Sequence, residues 1–546
     1  MKRKAVAAVL TAVMVASMFT GCGSDNGSSS AKSASAASAA SAANDTVDED
    51  GKVNGIMYQE GLPLVDEGDY TFSIFCDDSS ESGEFIMLDE FKKQTNVDVD
   101  LKIYPYETAT ERLNLDLNSG DYADVIGGWT LSDNAILTYG VNQGVFIPLE
   151  DYFEKYCPNI SAILDLPGVR EKMTAPDGHI YTIPYVCADT TVGYSPYINT
   201  KWLENVGMSM PTTTDEFEAV LKAFKEQDAN GNGDASDEIP FSTDPNNKHI
   251  EAMAGYFGLP MNKLGIAIQN EKVVYGGVSD TYREFLSWFH KLYAEGLVDV
   301  ELYTQDSSTW EGKGNQDLYG VSIAYGSNEF TGIPAAEERG DFDSMPVLNT
   351  DKDGIWMRDT EGFSVYRTQA VITNKAEHPE IICRWFDNAF ALENGIGCNR
   401  GPVGVIVNKE DDGYHAIDTT TLSEEDQEKY SWGNLWPQSL PKYLPVDFEF
   451  VEEHPMYDEK KATEEAYEAN LTKEIIPSYW IDLDKIDTFS DTNTAIKDFF
   501  EQQQAQFVCG ELDIDNDADW QAYVDGMYSL GLEDWVATQG IEEIAK

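Results

Sequence analysis

The stretch that decides the fold is DGHIYTIPYVCADTTVGYSPYINTKWLENVGMSMPTTTDEFEAVLKAFKEQ, Asp177–Gln227. It opens on a strand-like run, passes through an aromatic-rich connection and ends in helices. The last helix carries its own start signal: Thr213 and Glu216 have the spacing of a T-x-x-E capping box, and Phe217, Val220, Leu221 and Phe224 form one apolar face. Upstream, strand and helix patterns alternate. DYTFSIFCDD (Asp69–Asp78) is a β-rich run ending in polar residues. GEFIMLDEFKKQTNVDVDLKIY follows as an amphipathic helix, with Phe85, Leu88 and Phe91 at helical spacing, and then a strand in which Val97, Val99, Leu101 and Ile103 alternate. DYADVIGGW (Asp121–Trp129) reads as a third, buried strand. Such β-α-β order predicts a mostly parallel sheet with ligands at the carboxyl ends of its strands, where Asp77, Asp78 and Trp129 lie.

Composition narrows the class. A chain of 546 residues is too long for one core and suits two lobes. Its formal charge of −60 argues against nucleic acid or anionic lipid as a charge-driven partner, and 97 acidic residues make carboxylate pairs uninformative. At the start, Lys2, Arg3 and Lys4 precede an apolar run from Ala5 to Phe19, too short to span a bilayer comfortably; Thr20 and Gly21 then lead into Cys22. This order predicts a lipoprotein signal over 1–21 and a lipid on the Cys22 sulfur, although Phe19 stands where an aliphatic residue is more usual. Residues 22–44, rich in Ser, Ala and Gly, read as the lipidated Cys and a flexible tether. The other cysteines (Cys76, Cys157, Cys187, Cys383, Cys398, Cys509) show no C-x-x-C spacing, so neither zinc nor a redox motif is indicated. No G-x-S-x-G, H-E-x-x-H or P-loop occurs, and the histidines are dispersed.

DANGNGDASDEIP (Asp228–Pro240) has the form of a calcium loop. In EF-hand order Asp228, Asn230 and Asn232 take positions one, three and five, Gly233 takes six, and Asp234 offers its carbonyl at seven. Position twelve is Ile239, so Glu238, with Asp237 beside it, is the expected closing ligand. A plain Asn/Gly turn capping a helix is the other reading. Pro240 and a strand-like run follow in place of a second helix, which points to a structural staple rather than a sensor. A second ladder, Asp513, Asp515, Asp517 and Asp519, lacks the glycine and the closing Glu, and reads as a polar turn whose last Asp caps a helix near Trp520.

The order of segments closely resembles family 1 extracellular solute-binding proteins, the sugar receptors of ABC importers. Asp177–Tyr185 and Tyr197–Phe217 match the family stretches that carry the chain from its first lobe to its second. Glu295–Tyr303, Asp317–Glu329, the return crossing Phe363–Phe390 and the ending Phe507–Trp535 resemble later family segments. The resemblance implies an α/β, two-lobed, class II periplasmic-binding-protein-like fold with hinge crossings and C-terminal helices. Lobe 1 is expected over 69–186 and 370–430, and lobe 2 over 191–366 and 431–546. It also implies structural Ca2+ in the Asp228 loop, and a monomer held by its lipid at the extracellular face of the cytoplasmic membrane of a Gram-positive-type cell. Its partners would be an oligosaccharide and the permease subunits of an importer. A secreted glycoside-acting enzyme, a receptor for a non-sugar solute and a sensor-kinase receptor are the alternatives.

Sugars offer apolar CH faces and many hydroxyls, so their sites combine flat rings with directed polar groups. Candidates at strand ends and crossings are Asp78, Trp129, Tyr325, Glu329, Trp356, Arg367, Arg400 in GIGCNRGPVG, and Trp432 and Trp436 in SWGNLWP. The competing roles are core packing for the aromatics and an ordinary salt bridge for Arg367. Tyr185, Tyr194 and Tyr197 are expected to pack the hinge.

Overall fold

The structure, a computed structural model, describes residues 45–545 apart from 79–83, 246–248, 333–339, 418 and 452–454. The signal segment, Cys22 and the tether expected over 1–44 lie outside the described residues.

Among the described residues, nine strands build two main sheets. They are β1 (Tyr70–Asp77), β2 (Val97–Tyr104), β3 (Val125–Gly127), β4 (Thr182–Ala188), β5 (Ser195–Asn199), β6 (Ile239–Thr243), β7 (Tyr319–Ala324), β8 (Phe342–Ser344) and β9 (Phe363–Ile372). The first sheet has the order β2-β1-β3-β9-β4, with β1 parallel to both β2 and β3 and with β9 antiparallel to β3 and β4. The second has the order β8-β5-β7-β6, with only β7 and β6 parallel. Each sheet thus keeps the parallel strands that the β-α-β pattern predicts and adds antiparallel strands where the chain enters from the other lobe.

Each sheet has its own core. Around the first, Phe72, Phe91, Trp385 and Trp436 are buried together, and the Trp385 and Trp436 rings stack at 5.7 Å. The second core gathers β6 and β7 with helices Thr214–Glu226, Asp280–Ala294, Ile486–Cys509 and Asp517–Ser529. Phe217, Val220, Leu221 and Phe224 are all buried, as their helical spacing requires. The capping box forms with one change: Thr213 accepts the Glu216 N–H, whereas Glu216 Oε2 accepts from the N–H and hydroxyl of Thr212.

Three expectations are corrected. Residues just beyond 431 do not join the second lobe: Trp436 and Leu440 lie in the first core, because the Leu440 side chain closes over Gly127 at the end of β3. Arg400 lies at neither a strand end nor a crossing, because GIGCNR is the last part of helix Leu392–Arg400. Its glycines permit close packing, since a Cβ at Gly395 would stand 2.0 Å from the Tyr443 carbonyl oxygen. In the acidic ladder, Asn516 rather than Asp519 caps the helix that starts at Asp517, and Asp519 accepts the Asp513 N–H.

The two tryptophans of SWGNLWP therefore carry different loads. Trp436→Ala should cost about 3–5 kcal/mol in urea unfolding, the usual range for a buried Trp, while Trp432→Ala should cost less than about 1 kcal/mol because its ring is 55% exposed.

Candidate functional site

The lobes are joined where β4 runs into β5 and β9 returns. Over this span β9 pairs antiparallel with β4, from Phe363 opposite Ala188 to Tyr366 opposite Tyr185. Immediately beyond the ladder lies a cavity of about 550 Å3. Its walls come from the first crossing (Cys187–Thr190, Gly193, Tyr194), the second crossing (Trp356, Met357, Asp359, Thr360, Tyr366) and second-lobe residues including His249, Lys263 and Tyr325.

Aromatic rings stand on both sides. Toward the first lobe Tyr366 stacks on Tyr185 at 5.5 Å, and Trp129, 45% exposed at the end of β3, meets Tyr366 edge-on at 5.3 Å. Toward the second lobe the His249 and Tyr194 rings lie nearly parallel at 4.0 Å, with Tyr325 edge-on to Tyr194 at 6.0 Å. Burial, reinforced by Lys263, lowers His249 to about 3, so its ring is neutral at physiological pH. An uncharged ring can stack on an apolar sugar face without carrying a hydration shell into the contact.

Polar groups are arranged between the rings. Asp189, one residue past the ladder, accepts from the Ser364 hydroxyl at 2.5 Å and from the Tyr325 hydroxyl at 3.2 Å. It thereby links the end of the first-lobe ribbon to the second lobe. Asp359 accepts the Gly193 N–H at 2.7 Å and so ties the second crossing to the first. Although exposed by area, Asp359 stands among the cavity walls, and burial raises its carboxyl to about 6 against the lowering hydrogen bond from Gly193. Lys460, from helix Pro455–Tyr467 and only 3% exposed, donates to the Gly193 carbonyl at 2.7 Å and lies 3.7 Å from the Tyr325 ring centroid. Burial lowers its amine to about 8, with Glu329, Glu459, Asp189 and Asp359 opposing the shift. The same helix sends Glu464 to the N–H of Thr191 and Glu459 to the N–H and hydroxyl of Ser327.

The structure places the sequence-predicted residues unevenly. Tyr325 and Trp356 line the cavity, but the Trp356 ring is buried against Tyr256 and Tyr467 and acts as a wall. Trp129 is exposed beside that cavity's Tyr366. Glu329 stands behind it, accepting the Tyr325 N–H at 2.9 Å. Trp432 is exposed above Lys442, whose Nζ is 5.2 Å from the ring centroid. Trp432 does not line the cavity, and four further candidates are not brought to it. Trp436 packs in the first core; Asp78 is buried and accepts the Gln438 N–H; Arg367 forks onto Asp133 and lies over Trp480; Arg400 ends a helix with its guanidinium over Phe450. Each of the four meets a protein group, although Arg367 keeps its Nη1 buried without a hydrogen-bond partner among the described residues.

Sequence reasoning did not select Asp189, Asp359, His249, Tyr366 or Lys460, and favoured hinge packing over ligand contact for Tyr194. Signals existed for two of them. Each crossing contains an Asp-Thr pair, Asp189-Thr190 and Asp359-Thr360, and the Thr360 hydroxyl donates to the Thr190 carbonyl. Lys460 sits in a polar helix with nothing in its spacing to mark it.

The Asp228 loop forms a compact turn. Asn230 Oδ1 accepts the Asn232 N–H, Asn232 Oδ1 accepts the Asp234 N–H, and Asp228 Oδ2 accepts the Gly233 N–H. Ile239 begins β6, so the closing carboxylate is Glu238, turned back by the Ala229 N–H at 2.9 Å. Asp228 Oδ1 and Glu238 Oε2 are buried without a hydrogen-bond partner. Two such oxygens in one turn are costly unless a cation meets them, and the oxygen-only donor set suits a hard cation such as calcium.

Two lobes, paired crossings and a ring-lined cavity where they meet define a receptor that closes around a small solute. The chain belongs to the family of bacterial extracellular solute-binding proteins, which its residues 78–395 match. It is 31% identical over 411 residues to the fructooligosaccharide ABC transporter substrate-binding protein FusA of Streptococcus pneumoniae, covering 73% of this chain and 70% of that one. The solved structure of a FusA EF-hand mutant in complex with fructo-nystose has 27% identity and a TM-score of 0.75, over 86% of this chain and 98% of that one. Lipoprotein LipO of Bacillus subtilis is 28% identical over 280 residues, half of this chain and 52% of its own length. The family binds solutes rather than transforming them.

Burial raises Glu329 to about 7, with Asp244 and Glu311 adding to the rise and the Tyr325 N–H and Lys460 opposing it. The folded protein therefore retains a proton that the unfolded chain releases from about pH 4.5, and this group makes stability fall as pH rises toward 7. Glu329→Gln should remove that component, so the variant's unfolding free energy should lose about 1–2 kcal/mol less than the wild type's between pH 5 and 7.5. Urea titrations at the two pH values measure it.

Proposed function

We propose that this protein is a monomeric, lipid-anchored extracellular receptor that captures an oligosaccharide between its lobes and presents it to the permease subunits of an ABC importer. The observation that carries the reading is the hinge cavity, where stacked rings from both lobes flank the acceptor groups Asp189 and Asp359. Rings suit the CH faces of sugars, and carboxylates make strong hydrogen bonds to hydroxyls. Fructooligosaccharide is what the Streptococcus relative is named for; for this chain we propose the broader class. The Lys2–Cys22 pattern supports the anchor, and LipO is a named lipoprotein among the relatives. Ligand contact falls to Trp129, Tyr194, His249, Tyr325 and Tyr366, with Asp189 and Asp359 as hydroxyl acceptors. A ligand touching both lobes favours the state in which they approach, which is the state an importer can read.

Calcium is the second part of the proposal. Asp228, Asn230, Asn232, the Asp234 carbonyl, Asp237 and Glu238 would hold the ion, and its role is structural: it neutralises the buried carboxylate oxygens and fixes the entry to β6. The EF-hand named for the FusA relative supports this.

Titration calorimetry against a panel of oligosaccharides, followed by mass analysis of the recovered sugar, tests the receptor reading. A saturable signal with an unchanged sugar is expected, and cleavage would contradict it. Chelation with EGTA should lower the melting temperature by several degrees, restored by calcium but not in Glu238→Gln. Binding at a hundredfold excess over Kd is worth about 2.7 kcal/mol, enough to resolve in a melting curve.

A further inference from the structure

Around the cavity, acceptors are offered and cations are withheld. The lining carries two carboxylates, Asp189 and Asp359, and one exposed lysine, Lys263, while His249 is neutral. The other nearby cations are committed to protein oxygens. Lys460 is buried on the Gly193 carbonyl, and Arg358, next to Asp359, donates to the Thr472 carbonyl and pairs with Glu468. On the first-lobe side Arg367 is forked onto Asp133 through Nε and Nη2, which also donates to the Tyr479 carbonyl, and only its Nη1 is buried without a protein partner among the described residues. Lys442, 2% exposed, is held on Gln438 Oε1 at 2.7 Å.

Such a site can satisfy hydroxyl donors but has almost nothing with which to pair an anion. A carboxylate on the ligand would be desolvated beside like charges, and unit charges a few ångströms apart repel strongly in a partly buried setting. From this distribution we infer that the cleft selects uncharged oligosaccharides and rejects those bearing uronate or other acidic groups, Asp189 and Asp359 being the discriminating residues. The inference rests on the receptor reading and adds the charge class of its ligand. It also separates local from global charge: the chain's overall −60 acts at long range and is screened by salt, whereas repulsion inside the cavity persists.

The test is calorimetry on the calcium-loaded full-length protein with two size-matched sets, neutral fructo-, gluco- and galacto-oligosaccharides and acidic oligogalacturonates and oligoalginates, at low and at 0.5 M salt. At least one neutral sugar should bind, and every acidic sugar should bind at least about tenfold more weakly, the gap persisting at high salt as expected of a partly buried interaction. Asp189→Asn and Asp359→Asn, which preserve shape and the ability to accept a hydrogen bond, should narrow the gap. An acidic sugar that binds as tightly as the best neutral one overturns the inference and leaves the receptor reading standing. A gap unmoved by both substitutions removes Asp189 and Asp359 from the role assigned to them. Failure of every sugar in both sets overturns the receptor reading, and the inference with it.

Discussion

The molecule depends on one antiparallel ladder. β4 leaves the first lobe and β9 returns to it, and the two are hydrogen-bonded from Phe363 opposite Ala188 to Tyr366 opposite Tyr185 before the register shifts ahead of Ala370. Because the crossings are partners of each other, neither can move as a free linker, and reorientation of the lobes falls to the short segments beyond the ladder. Those segments hold Asp189, Gly193 and Tyr194 in one crossing and Asp359 in the other. The groups proposed to touch a ligand are thus the groups that must move when the lobes do, which is how binding energy would be converted into closure.

A third pass of the chain stiffens this region from behind. Helix Pro455–Tyr467 contributes Glu464 to Thr191, Lys460 to Gly193 and Glu459 to Ser327. Burying a lysine is unfavourable unless its partners compensate, and here a carbonyl, an aromatic face and surrounding carboxylates do so. The Tyr325 ring is fixed between Lys460 and the Asp189 hydrogen bond. Less side-chain freedom is then left to lose on binding, which favours affinity without added contact area. The Asp228 loop is separate in place: it lies ahead of β6, and its proposed role is to stabilise the second lobe rather than to touch a ligand.

Much of this was legible in the sequence. The alternation of strands and helices and the amphipathic face of Phe217, Val220, Leu221 and Phe224 depend on local periodicity, which a sequence displays directly, whereas the order of the crossings was legible only through the family resemblance. The compact turn at Asp228 was legible down to Glu238 folding back on the Ala229 N–H, because its spacing is carried within thirteen consecutive residues. The cleft was less so. Trp436 and Trp432 lie four residues apart in one loop, yet one fills the first core against Trp385 and the other is exposed. That difference is set by the Trp385 ring and by Leu440 meeting Gly127, contacts that no local pattern encodes. Arg367 has the residue type of a sugar contact, but Asp133, some two hundred residues earlier, claims it. Conversely His249 reaches the cavity, and Lys460 the Gly193 carbonyl in its wall, through the packing of distant elements.

The most direct test of the central claim is a structure of the protein crystallised with a bound oligosaccharide. The account predicts sugar density in the hinge cavity, stacked against the Tyr194–His249 or Trp129–Tyr366 rings and within hydrogen-bond distance of Asp189 or Asp359. A sugar bound elsewhere on either lobe, with that cavity holding solvent alone, would contradict it.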